Sequence, residues 1–291
     1  MNENQLWQIA FNCLGGFDFN SYQLLKKYFF SFKKAFQAKK RDLELAGLRH
    51  SFISNFLEKR RGLRLSNVLR IMKREGISVC FYSDDNYPDL LKEIFSPPPL
   101  IYYRGSLDID WSRSLSVVGS RRFSSYGQQV INNFIPILVT EDIYIVSGLA
   151  IGIDCLAHKK TIDSGGITIA VLGSGLDWNS VYPRQNKALF QEIIEQGGLV
   201  LSEFCPQTAP YASNFIQRNR IIAGLSIGTL VIEAQLRSGS LVTARYALDE
   251  GRNVWACPGS IFNANSLGTN ELIKSGAYLT NHPKDIYQDF I

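Results

Sequence analysis

The chain has 291 residues, of which 45% are hydrophobic, 12% aromatic and 20% charged. This much apolar material excludes intrinsic disorder, and the length permits a large domain beside a smaller one. The apolar runs are too short to span a bilayer, and the first residues lack a secretory signal. We therefore expect a soluble cytoplasmic protein without membrane contact.

The five cysteines and three histidines are scattered along the chain. They have neither the spacing of a disulfide framework nor that of a CxxC metal site. No close cluster of carboxylates indicates a divalent metal. We therefore expect no disulfide framework and no bound metal.

The charge is distributed unevenly along the chain. Residues 1–80 contain 15 Lys and Arg against 6 Asp and Glu, a net charge of +9. Residues 81–291 contain 16 Lys and Arg against 20 Asp and Glu, a net charge of −4. A basic module is compatible with nucleic-acid binding, but a solvated helical surface explains runs such as Lys39-Lys40-Arg41 equally well. Charge alone leaves both interpretations open.

In residues 1–80 the apolar side chains recur at helical spacing, and glycines separate the segments. The pattern predicts a small all-helical domain of four or five short helices. The next segment includes Pro97-Pro98-Pro99, which fixes an extended backbone. We predict a linker and lead-in segment over residues 81–112.

From residue 113 to residue 291, short apolar runs alternate with helical patterns. The alternation predicts an α/β domain, an extended Rossmann-like, doubly wound and mostly parallel sheet. The predicted strands are Leu115–Val118, Ile143–Val146, Ile167–Leu172, Leu199–Leu201, Thr229–Ile232 and Asn253–Ala256. The predicted helices between them are Gln128–Leu138, Ile153–Ile162, Lys187–Glu195, Phe215–Leu225 and Leu241–Glu250.

Small residues follow the predicted strands at their carboxyl ends, where open α/β sheets bind ligands. Examples are Gly119-Ser120, Ser147-Gly148, Gly173-Ser174-Gly175 and Ser238-Gly239-Ser240. Small residues admit a ligand to the backbone, and helix N-termini favour anions, so the turns together predict a phosphate-binding crevice. Each turn taken singly is better explained by tight connections and helix caps.

Two groups of arginines accompany these turns. Arg121-Arg122 follows the first strand of the predicted sheet, and Arg218-Asn219-Arg220 lies in a predicted helix. Because guanidinium groups bind phosphate bidentately, we predict that Arg121 and Arg218 contact a ligand. For Arg220, a buried ion pair with Glu203, Glu233 or Asp154 is an almost equal alternative.

The sequence does not contain the motifs of common nucleotide-dependent enzymes. Gly173-Ser174-Gly175 lacks the third glycine of the dinucleotide fingerprint, and no GxxxxGK[ST] loop occurs. Asp154 and His158 are spaced to share a helix face, but such pairs are more often structural than catalytic. We expect a binding protein that is not an enzyme and has no catalytic residue and no cofactor.

Taken together, these motifs resemble the DNA-processing protein A (DprA, also called Smf) family over about residues 87–278. The resemblance is carried by ordered matches that include Val117-Val118-Gly119-Ser120-Arg121, Ser147-Gly148-Leu149-Ala150, Arg218-Asn219-Arg220-Ile221-Ile222-Ala223-Gly224, Ser238-Gly239-Ser240-Leu241 and Gly268-Thr269-Asn270-Glu271. Residues 1–80 loosely resemble the family's small helical domain, of SAM-like or helix-hairpin-helix-like type. Many relatives add a C-terminal winged-helix-like domain, which we do not expect here.

The resemblance implies a protein that binds single-stranded DNA, protects incoming DNA during natural transformation and loads the RecA recombinase onto it. It also implies a homodimer without cofactor or catalysis. The predicted DNA-binding residues are Gly119, Ser120, Arg121, Arg122, Ser147, Gly148, Lys187, Phe215, Arg218, Asn219, Arg220, Ser238, Gly239 and Ser240. Several relatives have a DNA-binding lysine where this chain has Ala212, and Lys187 or Arg184 is the candidate replacement.

An alternative on the same fold is a nucleoside-monophosphate phosphoribohydrolase. Such enzymes use a Pro-Gly-Gly-x-Gly-Thr-x-x-Glu loop, and the segment from Gly228-Thr229 to Glu233 matches part of it. That segment lacks the Pro-Gly-Gly start and lies within an apolar strand pattern. DNA binding is therefore the favoured interpretation.

Overall fold

A computed structural model describes residues 1–290, which form one nine-stranded sheet in the order β1-β2-β6-β5-β4-β3-β7-β8-β9. The strands are β1 (Ser78–Phe81), β2 (Leu100–Gly105), β3 (Ser114–Val118), β4 (Tyr144–Ser147), β5 (Thr168–Val171), β6 (Leu199–Ser202), β7 (Gly228–Val231), β8 (Asn253–Ala256) and β9 (Tyr278–Leu279). All pairings among β3 to β9 are parallel, whereas β2 runs antiparallel to β1 and β6. The predicted fold class is confirmed.

Helices cover both faces of the sheet. They are α1 (Glu3–Cys13), α2 (Phe19–Phe29), α3 (Phe32–Gln37), α4 (Lys40–Leu45), α5 (His50–Lys59), α6 (Leu65–Glu75), α7 (Asp89–Lys92), α8 (Ser125–Thr140), α9 (Ile153–Asp163), α10 (Lys187–Glu195), α11 (Ala212–Gly224), α12 (Gly239–Asp249), α13 (Ala264–Lys274) and α14 (Lys284–Tyr287). Across residues 1–290, none of them combines the length and the apolar character needed to cross a membrane.

The central strands are buried along their whole length, which explains why they appear in the sequence as unbroken apolar runs. Every residue of β3, β5, β6 and β7 is buried. Each of the six predicted strands is observed, and no end differs by more than one residue. The same physical cause, burial on both faces, made these strands the most predictable part of the fold.

The segment 81–112, predicted as a linker and lead-in, instead contributes to the sheet. It contains β2, which pairs with β1 on one side and with β6 on the other. The three prolines Pro97 to Pro99 end just before β2 and are buried. Because they precede the strand, they occupy no ladder position that needs an N–H group.

The N-terminal region has six helices where four or five were predicted, and they divide between two cores. Helices α1 to α5 enclose an aromatic core that includes Phe11, Phe32 and Phe56. Helix α6 packs against the sheet, with Val68 and Met72 in the apolar cluster that also contains residues of α10. Ile9 of α1 belongs to the same sheet-side cluster, so the two cores are continuous, and the domain boundary at residue 80 stays a prediction.

The N-terminal helices are also attached covalently to the sheet. Cys13 at the end of α1 and Cys205 after β6 form a disulfide bond, although no disulfide framework was predicted. The two cysteines are 192 residues apart in sequence, so their spacing carried no signal. Beside the bond, the side-chain amide of Asn12 donates to the carbonyl of Glu203 at 3.0 Å.

The order of the strands creates a switch point between β3 and β7. From β3 the chain moves outward through β4, β5 and β6, and from β7 it moves in the opposite direction through β8 and β9. The connections that follow β3 and β7 therefore diverge, and a crevice opens at the carboxyl ends of the two strands.

Candidate nucleic-acid interface

A cleft of about 770 Å³ lies at this switch point. Its walls are the loop after β3, the loop after β7 and the first turns of α11. Ten of the predicted DNA-binding residues line it, namely Gly119, Ser120, Arg121, Arg122, Phe215, Arg218, Asn219, Ser238, Gly239 and Ser240. The structure therefore brings these ten residues together, and their DNA contacts stay a prediction.

The turn after β3 is folded tightly against the start of α9. A Cβ atom at Gly119 would lie 2.7 Å from the Ile153 side chain, so only glycine fits there. The Ser120 hydroxyl accepts from the backbone N–H of Arg122 at 3.1 Å and closes the turn. This arrangement leaves the side chains of Arg121 and Arg122 exposed at the cleft.

The turn before α12 forms the facing wall. The Asn219 side-chain amide donates to the Gly239 carbonyl at 3.2 Å, and the hydroxyls of Ser238 and Ser240 lie 2.6 Å apart. Asn219 therefore positions this turn. Arg237 is exposed and lines the cleft, although it was not among the predicted site residues. Its sequence signal is a basic residue directly before the Ser-Gly-Ser turn.

Helix α13, which was not predicted, holds the two walls together. The Asn265 side-chain amide donates to the Arg122 carbonyl at 2.7 Å. The Asn265 carbonyl accepts from the backbone N–H of Ala234, also at 2.7 Å. One residue of α13 thus connects the loop after β3 with the loop after β7.

Arg218 forms the floor of the cleft and is only 4% exposed. Its Nη1 donates to the carbonyl of Gly148 at 2.7 Å and also to the carbonyl of Val171, at the ends of β4 and β5. Burial lowers the pKa of Arg218 to about 10, so the guanidinium is charged at neutral pH. The ligand contact predicted for Arg218 stays a prediction, since the side chain lines the cleft while its Nη1 is already hydrogen-bonded to the sheet.

Two buried titratable residues, one in the cleft lining and one beneath it, have structural partners. The buried Asp154 carboxylate accepts from the backbone N–H of Gly148 at 3.1 Å, and burial raises its pKa against the opposing charge of Arg218. The buried His158 ring lies 2.6 Å from the Thr168 hydroxyl, and desolvation lowers its pKa to about 3. The two side chains therefore have different partners and form no hydrogen bond with each other.

Two predicted residues lie below the cleft and do not line it. The Ser147 hydroxyl is buried and donates to the Val117 carbonyl at 2.6 Å. Gly148 lies under the Arg218 guanidinium, and a Cβ atom there would be 2.4 Å from Nη1. Gly148 therefore makes room for Arg218, and Ser147 ties β4 to β3.

Two further predicted residues lie outside the cleft. Arg220 forms an ion pair with Glu203 and donates to the Ser96 carbonyl at 2.8 Å, which is the alternative that the sequence left open. Lys187 begins α10, and its Nζ lies 4.8 Å from the centroid of the Trp178 ring. Neither side chain is part of the cleft lining.

One wall of the cleft is aromatic. The rings of Tyr182 and Phe215 have centroids 5.7 Å apart, and both side chains line the cleft. A Cβ atom at Gly173 would lie 2.8 Å from the Phe215 ring, so glycine at the end of β5 lets the ring pack there. The described lining thus combines an aromatic wall with three exposed arginines and a single carboxylate, the buried Asp154.

The segment that partly matches a phosphoribohydrolase loop is a strand over most of its length. Its first residues form the buried strand β7. The Glu233 carboxylate accepts from both the backbone N–H and the hydroxyl of Ser124, the residue that caps α8. Glu233 therefore stabilises a helix N-terminus and is not among the residues that line the cleft.

The sequence matches a known family model, DNA recombination-mediator protein A, over residues 78–291. The chain belongs to this family. Protein Smf of Escherichia coli strain K12 is 42% identical to it over 255 residues, covering 83% of this chain and 68% of the relative. DNA processing protein DprA of Streptococcus pneumoniae strain R6 is 46% identical over 207 residues, covering 71% of this chain and 72% of the relative. The DprA/Smf resemblance inferred from the motifs is confirmed.

Solved structures of DprA proteins have the same fold. The X-ray structure of DprA from Streptococcus pneumoniae superposes with a TM-score of 0.81 at 34% identity, covering 100% of this chain and 99% of that one. A structure of DprA from Helicobacter pylori superposes with a TM-score of 0.64 at 28% identity. The match covers 73% of this chain and 94% of the Helicobacter chain. The latter was determined to explain the single-stranded DNA binding mode of the Helicobacter protein.

The burial of Arg218 predicts that it contributes to stability in a way that Arg121 does not. In Arg218→Met the carbonyls of Gly148 and Val171 lose a charged donor, and we expect the free energy of unfolding to fall by about 2–4 kcal/mol. In the matched variant Arg121→Met the exposed side chain is replaced, and a change within about 0.5 kcal/mol is expected. Urea denaturation of both variants measures the difference, and equal stabilities would contradict the structural role of Arg218.

Proposed function

We propose that the protein binds single-stranded DNA in the cleft between the loops after β3 and β7. The observation that carries the proposal is the combination of three exposed arginines with an aromatic wall at the switch point of the sheet. The single-stranded DNA binding mode described for the Helicobacter pylori relative supports it. The function is that of a DNA-processing protein that protects incoming strands during natural transformation and acts in the cytoplasm.

The chemistry of the cleft suits a strand of any base sequence. The exposed guanidinium groups of Arg121, Arg122 and Arg237 can pair with phosphate oxygens, and the nearby turns present backbone to the ligand. Phe215 and Tyr182 offer ring faces on which bases stack, an interaction worth about 1–3 kcal/mol per base and tolerant of sequence. Few side chains are available for reading base edges, so binding without sequence preference follows.

We further propose that the site acts by binding alone, without catalysis and without a nucleotide cofactor. In the described chain, no histidine or cysteine lines the cleft. Asp154 is held by a backbone N–H group, and His158 is held beside Thr168 with its pKa lowered by burial. These contacts give both groups a structural role.

The cleft assignment predicts which arginine substitutions weaken DNA binding. In Arg121→Ala and Arg237→Ala we expect weaker binding of oligothymidine and of mixed-sequence strands alike. Removal of one phosphate contact should lower the slope of log K against log salt by about 0.7. The matched control is Arg245→Ala, an exposed arginine of α12 that pairs with Asp249 and does not line the cleft. Fluorescence anisotropy titrations at several salt concentrations measure both quantities, and affinities equal to that of the control would refute the assignment.

We further propose that the protein works as a homodimer and loads the RecA recombinase onto the bound strand. Each cleft offers few phosphate contacts, so two protomers on one strand would gain affinity through a high effective concentration. This is the arrangement that the family resemblance implies.

Loading of RecA is tested on single-stranded DNA covered with a single-strand-binding protein. We expect the chain to shorten the lag before RecA hydrolyses ATP, because it exposes strand on which a RecA filament can begin. The Arg121→Ala variant should shorten the lag less than the unmodified chain, and Arg245→Ala should match the unmodified chain. An unchanged lag at saturating protein would contradict the RecA part while leaving DNA binding intact.

A further inference from the structure

The aromatic wall of the cleft continues along the surface outside it. Tyr182, which contacts Phe215 in the cleft, is 47% exposed. Four positions earlier in the same loop, Trp178 is 45% exposed, although its size favours burial. The loop thus presents one large ring inside the cleft and a second ring outside it.

A lysine lies against the second ring and is linked to the floor of the cleft. Asn186 donates to the carbonyls of Leu149 at 2.9 Å and Ala150 at 3.3 Å, and Ala150 lines the cleft. The next residue, Lys187, starts α10 and places its Nζ 4.8 Å from the Trp178 ring centroid. An aromatic face and a cation therefore lie together immediately beyond the cleft.

The same loop is joined to the basic face of α6. The Glu75 carboxylate accepts from the backbone N–H of Trp178 at 2.6 Å and so fixes the end of α6 against the loop. Arg70, Lys73 and Arg74 are three and four positions apart, share one side of α6 and are exposed. The opposite side of α6 packs on the sheet, which fixes the direction of the basic face.

We propose that single-stranded DNA leaves the cleft over this surface and is held there by a second set of contacts. We call it the α6 track, and it consists of Tyr182, Trp178, Lys187, Arg70, Lys73 and Arg74. The inference rests on the proposed function of the cleft and extends it, since it gives the strand a direction and assigns part of the basic N-terminal region to DNA.

The composition of the track suits a nucleic-acid strand better than an acidic protein. It combines two exposed rings with four cations, and a nucleic-acid strand supplies both the flat bases and the phosphates that such groups bind. Basic residues are also concentrated around α6, since residues 59–75 contain 7 Lys and Arg but only 1 acidic residue. An acidic peptide would pair with the cations but would leave the exposed face of Trp178 without a flat partner.

The test compares two lengths of oligothymidine on the full chain. A strand of about 6 nucleotides fills the cleft, whereas one of about 20 nucleotides also reaches the track. The track variant is Arg70→Gln with Lys73→Gln, and the matched control is Lys27→Gln with Lys34→Gln. The control removes the same charge from exposed positions of α2 and α3, which pack in the other N-terminal core.

We expect the track variant to bind the long strand more weakly and with a salt slope lower by about 0.7 for each phosphate contact removed. Its binding of the short strand should equal that of the control. Among the four tryptophans of the chain, Trp178 is the exposed one. The long strand should therefore quench the intrinsic fluorescence, and the quench should be lost in Trp178→Phe.

Equal long-strand affinities for the track variant and the control, or the same quench after Trp178→Phe, would overturn the track. The cleft is judged separately by Arg121→Ala with the short strand. If that variant weakens short-strand binding while the track variant behaves as the control, the cleft assignment stands and the track alone is wrong. If Arg121→Ala has no effect, the cleft assignment fails independently of the track.

Discussion

Arg218 reaches from α11 under the cleft and donates to the carbonyls of Gly148 and Val171, which end two neighbouring strands. A charge buried in this position must be compensated, and Asp154 and the two carbonyls provide the compensation. Gly148 must be glycine to leave room for the guanidinium. The floor of the cleft, and with it the position of Phe215 one turn earlier in α11, depends on this one group.

The cleft also shows why net charge is a poor guide to the binding surface. Residues 81–291 carry a net charge of −4, yet the lining of the cleft has three exposed arginines and one buried carboxylate. In the proposed complex the backbone turns of small residues would bring DNA close to these few charges, so the net charge of the domain would contribute little. Residues 1–80 differ, because their net charge of +9 is spread over many exposed side chains.

The sequence predicted the sheet and the place of the cleft because both depend on local patterns. Buried strands are unbroken apolar runs, and the turns at their ends contain Gly and Ser. The roles of individual side chains depended on contacts distant in sequence. The hydrogen bonds of Arg218 were not predicted, because its partners Gly148 and Val171 lie 70 and 47 residues away. For the same reason the pairing of β2 with β6 and the disulfide between Cys13 and Cys205 had no local signal.

Two other features of the fold had only a weak signal in the sequence. Helix α13 contains Ser, Gly, Thr and Asn among few apolar residues, so its periodicity is weak, yet Asn265 connects the two walls of the cleft. Helix α6 has the spacing of a surface helix, and the sequence could not tell which core its apolar side would join. Long-range packing decided both outcomes.

The central claim is that single-stranded DNA lies at the switch point between β3 and β7. Hydrogen–deuterium exchange of the full chain with and without saturating oligothymidine tests it most directly, because the backbone of the two turns is part of the proposed contact. The account predicts slower exchange in residues 119–124 and 235–241 when DNA is bound. Slower exchange confined to residues 1–64, with both turns unchanged, would contradict it.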